Sequence, residues 1–586
     1  MGAHDATLTE ALKELRDNWS TEIDAILEGR YSFWLGSGIS KERLPGLRDL
    51  LRDKVLIPLQ LKVDRLNAAC PFRRVLNEII EVAGVKGIDP TTPVHLWIGG
   101  NLNDFLDALT DKYADVLERD LRENGVGKDL FWEVLELQKV YADPATEPDA
   151  EHVLLCLLLH ERVLTDLVTT NWDPLIEMAY QNSRQNTTRT LNVVACNDEL
   201  DGSRDGGSAR LLKIHGCARK ASDNPDKYRK FMVCKRSQIS NWIRGDLHAP
   251  IRTEVGALLR EKPAFFIGLS GQDFNLQAEC VTASLQREPF PANPARALFS
   301  GPRITSSQQT ILKAIYGGQE YLAHADEIDG KAALPLYAKP LLGSLYLLAL
   351  RKKLEHFLAR GACDMAEWQR TLVANWLVEL ENTLCARYDA IADSRERWRQ
   401  LAHEIPRTVT RFLSLYRRGE ISRTPDAYEA LSVNDLAGMT NDPSLPLSNT
   451  HWLLFAMALF SAGQGHGLWK IRILTTGAGE QGQLNIAVSG RSIRLFVLWD
   501  PVCLLQLVVR RFVDPSHADD VLIVYPRHAT PRRRRRSPRR ASLPARPAPA
   551  DPVELGLNDI LDRASNEDKA LRLLKLAIMG VKGSAR

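Results

Sequence analysis

The sequence lacks the cysteine spacing of a zinc module and any apolar run long enough to cross a membrane. Its nine cysteines include no Cys-x-x-Cys pair, so a four-thiolate site would need ligands from unrelated segments. The longest apolar runs, at 153–159 and 452–460, are about half of what a bilayer requires. The N-terminus has neither the basic and apolar segments of a secretory signal nor the hydroxyl residue of a myristoylation site. These absences predict a cytoplasmic protein without a membrane anchor.

The sequence also lacks the Gly-x-x-x-x-Gly-Lys-Ser/Thr loop that binds phosphates in many NTPases. A length of 586 residues with 44% apolar content predicts two to four globular domains with ample core. The formal net charge is only +3, but residues 527–546 hold nine arginines and no acidic residue. The rest of the chain is therefore mildly acidic.

The first of four notable apolar runs, at 31–35, leads into a glycine-rich turn. Gly36, Ser37 and Gly38 follow the run directly. A strand that enters a Gly-x-Gly turn exposes backbone N–H groups, to which a diphosphate can bind. Such turns are also common in proteins that bind no phosphate, so this turn alone does not decide the function.

Three further apolar runs also end in small or polar residues. These residues are Asn171 and Asp173 after the second run, His215 after the third, and Gly268, Ser270 and Asp273 after the fourth. Helical patterns alternate with the four runs, which predicts an α/β fold with a parallel, Rossmann-like sheet. The carboxyl ends of the strands in such a sheet are where ligands bind.

The ordered motifs Gly-Ser-Gly-Ile-Ser, Thr-Thr-Asn-Trp-Asp, Lys-Ile-His-Gly and Gly-Leu-Ser-x-x-Asp resemble the signature of the sirtuin-like fold, in its bacterial NAD-consuming branch. The resemblance covers about residues 10–300, and four motifs in order are far more specific than any one of them. Leu44 and Pro45 lie where the family carries a small-residue and proline loop near NAD. Arg43 and Leu47 depart from the family pattern there. Between the first and second motifs the pattern predicts a large, mainly helical insertion.

The resemblance implies a role for each residue at the strand ends. Asn171 would position a water and the ribose hydroxyls, and His215 would act as a general base. The implied NAD-binding residues are Gly36, Ser37, Gly38, Ser40, Asp173, Gly268, Ser270 and Asp273, with Ser37, Gly38 and Ser40 at the diphosphate and Ser270 with Asp273 at the adenosine ribose. A structural role remains the alternative: Asn171 or Asp173 would cap the next helix, and His215 would be a structural hydrogen-bonding residue.

The function that the resemblance implies is NAD hydrolysis to nicotinamide and ADP-ribose, with NAD as the substrate and no zinc ion. In this zinc-free branch, such NADases deplete NAD in anti-phage defence after activation by a separate sensor. The resemblance implies a homo-oligomer with a HerA-type ATPase as its partner, or a short Argonaute in its place. An NAD-dependent protein deacylase is the first alternative, disfavoured by the missing zinc module. A non-catalytic module that binds NAD or ADP-ribose is the second.

The second half of the chain has a different character from the first. The predicted boundaries are 1–310 for the sirtuin-like domain, 331–465 for a helical domain, 466–526 for a small mixed α/β module, 527–552 for an Arg- and Pro-rich disordered linker, and 553–586 for C-terminal helices. The five consecutive arginines from Arg532 to Arg536 would attract a polyanion, and nucleic acid is the sharper interpretation. A solvated linker is the alternative, because no aromatic residues are interleaved for base stacking.

Overall fold

The chain folds into two compact units, Met1–Leu345 and Tyr346–Arg586. The computed structural model describes residues 6–585 except for 68, 87, 98–100, 124–125, 184–189, 202–207, 272, 285–293, 421–427, 433, 442–449, 474–483, 515–517, 519, 529–551 and 582–583. The predicted nucleic-acid contact from Arg532 to Arg536 lies outside the described residues, as does most of the predicted linker.

The first unit is built on a parallel sheet of seven strands. The sheet contains β1 (Ser32–Leu35), β4 (Asp166–Thr169), β5 (Leu191–Val194), β6 (Ala209–Lys213), β7 (Ala264–Ile267), β8 (Ala297–Ser300) and β9 (Ala333–Leu334). The strands β2 (Asp120–Glu123) and β3 (Val126–Asp129) form a separate hairpin. The strand order is β5-β6-β4-β1-β7-β8-β9, and every neighbouring pair in it is parallel. The predicted Rossmann-like α/β fold is confirmed.

One row of apolar side chains crosses six strands of this sheet on the same face. The paired residues in the row are Val194, Leu212, Val168, Trp34, Phe266 and Phe299. All six belong to one buried core cluster. Because side chains alternate between the faces of a strand, a slip of one residue would turn this row away from its core, so burial specifies the register.

The helices of the first unit surround the sheet and form the insertion. Their bounds are Leu8–Asn18, Ser20–Leu27, Leu47–Asp49, Ile57–Leu61, Pro71–Ala83, Asn101–Thr110, Tyr113–Leu117, Gln138–Ala142, Ala150–His160, Leu175–Ser183, Ala218–Asp223, Pro225–Tyr228, Arg236–Arg244, Ala249–Glu261, Phe274–Ser284, Ser306–Tyr316, Gly318–Ala323 and Ala325–Ala332, with Ala338–Arg360 beginning here. Leu8–Asn18 and Ser20–Leu27 are two helices rather than one, because the backbone leaves helical geometry at Trp19 (φ −130°, ψ 21°).

The insertion between the first two motifs has a core of its own. Buried side chains such as Leu76, Phe105 and Phe131 pack together there, and Trp172 from the second motif joins them. The prediction of a mainly helical insertion missed the hairpin of β2 and β3. Trp172 thus connects the insertion to the end of β4.

The second unit combines long helices with a mixed sheet. Its helices are Glu367–Asp389, Ser394–Arg418, Leu436–Asn441, Thr450–Gly465, Pro501–Val509, Asn558–Leu561 and Glu567–Met579. Its strands are β10 (Lys470–Ile473), β11 (Leu484–Val488), β12 (Arg491–Val497), β13 (Val521–Tyr525), β14 (Val553–Gly556) and β15 (Ser584–Ala585). The pairs β10-β11 and β11-β12 are antiparallel, whereas β12-β13 and β13-β14 are parallel. The predicted helical region and the small mixed module are therefore both present in this unit.

The segment after residue 552 differs from its prediction. A helical pattern was expected from Val553 onwards, but Val553–Gly556 forms β14 and pairs with β13. Tertiary hydrogen bonds to a buried neighbouring strand outweigh a helical pattern over only four residues. Within the part of the chain that the structure describes, no helix is both long and apolar enough to span a bilayer.

Candidate active site

The four predicted motifs follow β1, β4, β6 and β7, which are four adjacent strands of the sheet. Their carboxyl ends border a cavity of about 570 Å³, within the usual range of small-molecule sites. The predicted residues that line it are Gly36, Ser37, Ser40, Asn171, Asp173, His215, Gly268, Ser270 and Asp273. The structure thus brings nine of the ten predicted residues to one site.

Gly38 is the predicted residue that the described lining of this cavity does not include. Its N–H donates to the carbonyl of Gly268 at 2.9 Å. A Cβ at Gly38 would lie 2.6 Å from Cα of Gly268. Gly268 itself has a φ of +65°, in the left-handed region that favours glycine. The absence of side chains at Gly38 and Gly268 therefore lets the loops after β1 and β7 contact each other through their backbones. This packing role is separate from the predicted role of Gly36 in binding a ligand.

Asn171 has one half of its amide anchored and the other half free. Its Nδ2 donates to the carbonyl of Gly36 at 3.2 Å and contacts Oγ of Ser40 at 3.4 Å. The carbonyl can only accept, which assigns Nδ2 to that side. Among the described residues, the buried Oδ1 of Asn171 has no hydrogen-bond partner. A buried amide oxygen without a partner costs free energy, and a ligand hydroxyl or a water in the cavity would satisfy it.

Asp173 and Ser40 lie buried next to Asn171. One carboxylate oxygen of Asp173 accepts from the N–H of Leu175 at 3.1 Å and so caps the helix Leu175–Ser183. The other accepts from the hydroxyl of Ser40 at 3.0 Å. The capping role that the sequence offered as an alternative therefore belongs to Asp173.

His215 lies next to Asp273, which comes from a different motif. Its Nε2 lies 3.2 Å from Oδ2 of Asp273 and 3.5 Å from Nδ2 of Asn275. The shorter contact is with a carboxylate, which can only accept, so the proton lies on Nε2 and Nδ1 is the acceptor of the neutral ring; Nε2 then has no lone pair for Nδ2 of Asn275. The ring contacts described for His215 all involve Nε2. The geometry leaves His215 able to act as a base.

Asp273 has protein partners for both oxygens. Oδ1 accepts from the N–H of Leu276 at 3.1 Å, at the start of the helix Phe274–Ser284. Oδ2 faces His215. The carboxylate therefore orients the imidazole of His215, and the contact of Asp273 with an adenosine ribose stays a prediction.

The helical insertion contributes to one side of the cavity. Thr110, Asp111, Tyr113, Asp115 and Tyr141 all line it. Burial, followed by the nearby carboxylates Asp273 and Asp173 respectively, raises the pKa of Tyr113 and of Tyr141. Both phenols therefore stay protonated at neutral pH and can donate hydrogen bonds to a ligand.

Two residues of the site were missed by the sequence predictions. Asn275 is 1% exposed, lines the cavity, and has a buried Oδ1 without a partner among the described residues. Its only signal was its position two residues after Asp273. His152, in the helix Ala150–His160, contacts Ser40. The sequence pattern that could have indicated it is Asp149 three residues earlier, because Asp149 and His152 form a capping box.

Comparison with known proteins agrees with this geometry. Residues 165–317 match the family model of the SIR2-like domain. The match begins just before β4 and spans the second, third and fourth motifs. No curated protein matched the chain. SIR2-like domains bind NAD and generally belong to NAD-dependent enzymes, so the match supports a sirtuin-like domain at residues 165–317, which supply three of the four motifs around the cavity.

Among the described residues, no group of three or more His, Cys, Asp or Glu side chains has the arrangement of metal ligands. Cys217 and Cys234, the two cysteines between the third and fourth motifs, are buried free thiols. Burial raises the pKa of both thiols, so they remain protonated core groups at neutral pH.

Proposed function

We propose that this protein hydrolyses NAD to nicotinamide and ADP-ribose. The observation that carries the proposal is the free buried Oδ1 of Asn171 in the same cavity as His215, whose Nε2 is bound by Asp273. The Asn171 amide can position a hydroxyl or a water, and the His215 imidazole can take a proton.

The chemistry requires little from the protein beyond positioning. The C1′–N bond of the nicotinamide ribose breaks, and its electron pair leaves with nicotinamide, which becomes neutral. A water supplies the oxygen that bonds to C1′ and passes a proton towards Nδ1 of His215. Asn171 accepts a hydrogen bond from that water or from a ribose hydroxyl, and as a neutral amide it forms no adduct with the cationic sugar. Effective positioning of this kind lowers a barrier by several kcal/mol.

The charge of the cavity fits a reaction that passes through a cationic sugar. Its described lining includes four carboxylates, at Asp111, Asp115, Asp173 and Asp273, and a single arginine, Arg236. Carboxylates close to the ribose favour developing positive charge. The Gly36 N–H is already bonded to the carbonyl of Ile267 at 3.0 Å, so the backbone N–H of Ser37 is the group in this turn that suits the diphosphate.

The wider role that we propose is NAD depletion in bacterial anti-phage defence. The support is the ordered set of four motifs, which resembles the NAD-consuming branch, together with the SIR2-like match. Uncontrolled NAD hydrolysis would kill the cell, so the activity would be held off until a sensor protein acts. A HerA-type ATPase is the proposed partner, with a short Argonaute as the alternative, and the chain would act as a homo-oligomer.

The test follows nicotinamide release from NAD by purified protein, alone and with the product of the neighbouring gene. Asn171→Ala and His215→Ala should each lower the rate at least about 100-fold. The matched controls Asn241→Ala and His95→Ala change exposed residues outside the cavity lining and should keep the rate of the parent protein.

The alternatives give different outcomes in the same assay. Release only in the presence of an acylated peptide would indicate a deacylase. Binding of NAD or ADP-ribose, with no release under any condition, would indicate a non-catalytic module. Either result contradicts the proposed hydrolase.

A further inference from the structure

A chain of hydrogen bonds runs behind Asn171 and begins outside the cavity. His152 is fully buried in the helix Ala150–His160 and is not among the described residues that line the cavity. The backbone N–H of Asp149 donates to its Nδ1 at 3.1 Å. Because an N–H can only donate, Nδ1 must accept, and the proton of the neutral ring lies on Nε2.

The neutral form of His152 agrees with its surroundings. Burial is the largest influence and lowers its pKa, although the carboxylates of Asp173 and Asp149 act in the opposite direction and Arg43 reinforces the lowering. The ring therefore donates through Nε2 and accepts through Nδ1. Each of its two nitrogens has a defined hydrogen-bonding role.

The direction of the next bonds follows from that tautomer. Nε2–H of His152 donates to Oγ of Ser40 at 3.1 Å, and the hydroxyl of Ser40 donates to Asp173 at 3.0 Å. The second lone pair of Oγ faces Nδ2 of Asn171 at 3.4 Å. A hydroxyl has one proton and two lone pairs, so all three are used.

Charged side chains contact Asp149, where this chain of hydrogen bonds begins. The side chain of Asp149 accepts from the N–H of Ala150 at 2.9 Å and contacts Arg43 at 3.4 Å and Lys339 at 3.5 Å. These contacts hold the turn that presents the Asp149 N–H to the imidazole. Lys339 also pairs at 2.6 Å with Glu42, two residues after Ser40. Charged contacts therefore hold the segments on both sides of the hydrogen bond between His152 and Ser40.

We infer that His152 is a positioning residue, which acts through Ser40 to hold the Asn171 amide with Oδ1 towards the cavity. Without the imidazole, the hydroxyl of Ser40 loses its donor and can turn away from Asp173. Nδ2 of Asn171 then keeps only its bond to Gly36, and the amide gains freedom to rotate. The kinetic consequence rests on the proposed NAD hydrolysis, but the structural consequence does not.

The kinetic test compares His152→Phe with His152→Gln in the full chain. Phenylalanine fills the space without polar atoms, whereas the amide of glutamine can still donate to Ser40. We expect kcat for nicotinamide release to fall at least about tenfold in His152→Phe with KM within about twofold, and His152→Gln to recover at least about a third of the parent kcat. The stoichiometry of ADP-ribose binding, measured by calorimetry, normalises each rate to the folded fraction.

Coupling to Ser40 separates positioning from a general loss of structure. Ser40→Ala should lower kcat by a similar factor, and the double variant should be no slower than the slower single variant, because both act on one contact. Multiplied effects of the two changes would overturn the inference, as would a normalised kcat of His152→Phe equal to that of the parent.

A crystal structure of His152→Phe decides the question without any activity. The inference predicts that the Asn171 amide leaves the orientation in which Nδ2 binds Gly36, or occupies two orientations. An unchanged Asn171 and Ser40 would overturn it. If the parent protein releases no nicotinamide, the proposed function fails, and this structure still tests the role of His152.

Discussion

The close contact between Gly38 and Gly268 leads to a quantitative prediction for Gly38→Ala. The added Cβ would lie 2.6 Å from Cα and 2.7 Å from the carbonyl oxygen of Gly268, whereas ordinary contact begins at 3.4 Å. Gly38 is not in the left-handed region, so alanine meets no backbone strain there. The cost of the substitution is therefore steric, and it arises from backbone atoms that cannot rotate away.

The magnitude follows from the displacement. The loops after β1 and β7 must separate by about 0.8 Å to restore contact at 3.4 Å. Overpacking of this kind costs about 1–3 kcal/mol, and weakening the Gly38 N–H to Gly268 hydrogen bond adds about 1 kcal/mol. For a unit of this size we expect the unfolding temperature to fall by about 4 °C. The same shift moves the edge of the cavity, so nicotinamide release should fall at least about tenfold.

Calorimetric unfolding of the full chain measures the stability, beside a matched control. Gly330→Ala makes the same chemical change in the helix Ala325–Ala332, where a new Cβ meets no atom within 4 Å. Alanine there should leave stability unchanged or raise it by up to about 1 kcal/mol. Equal unfolding temperatures for the Gly38 and Gly330 variants would refute the steric reasoning.

Three further predictions concern ionisable groups. Burial, opposed by the nearby Lys339, raises the pKa of Glu151 to about 8, so the stability that its neutral form contributes is full below the ordinary pKa of 4.5 and is lost as pH rises through 8. The free energy of unfolding of the parent should therefore fall by about 1 kcal/mol per pH unit between pH 5 and pH 8 because of this group, and Glu151→Gln should remove that part of the fall in urea unfolding. Burial of Asp166 acts to raise its pKa, but Lys262 and Arg210 outweigh burial and lower the pKa, so the stabilisation by the carboxylate is present above pH 3.8 and is lost at lower pH. Asp166→Asn should lower the free energy of unfolding by about 2 kcal/mol at pH 7. A difference in unfolding free energy between variant and parent that stays constant down to pH 2 would contradict this. Asp273→Asn keeps an oxygen for the helix cap but removes the carboxylate that orients the imidazole of His215. If His215 is the base of the proposed reaction, nicotinamide release should fall at least about tenfold while the unfolding temperature changes by less than about 2 °C.

Much of the sheet and of the site was predictable from local sequence. Apolar runs of four or five residues predict buried strands, and small or polar residues after them mark the edge where parallel strands end. Asn171 and His215 were predicted in this way together with the family resemblance, and both line the cavity. The individual apolar runs carried no information on the order of the strands in the sheet. In that order β4, β1 and β7 lie side by side.

Where prediction and structure differ, a long-range contact is the reason. Val553–Gly556 is a strand because β13 offers it backbone partners. The contact between Asp273 and His215, which lie 58 positions apart in the sequence, was likewise not predicted. Gly38 packs against Gly268, which no local pattern around either glycine indicates.

The sequence by itself determined the strands that carry the four motifs, the polar residues at their ends and the kind of cavity that they would border, because burial and backbone geometry leave a local signature in residue type. Only the tertiary structure decided which groups are free to act. The hydrogen-bonding capacity of a side chain depends on the partners that folding brings to it. The oxygen of Asn171 is available because Gly36 and Ser40 bind its nitrogen, and His152 contributes from a helix more than a hundred residues after that serine.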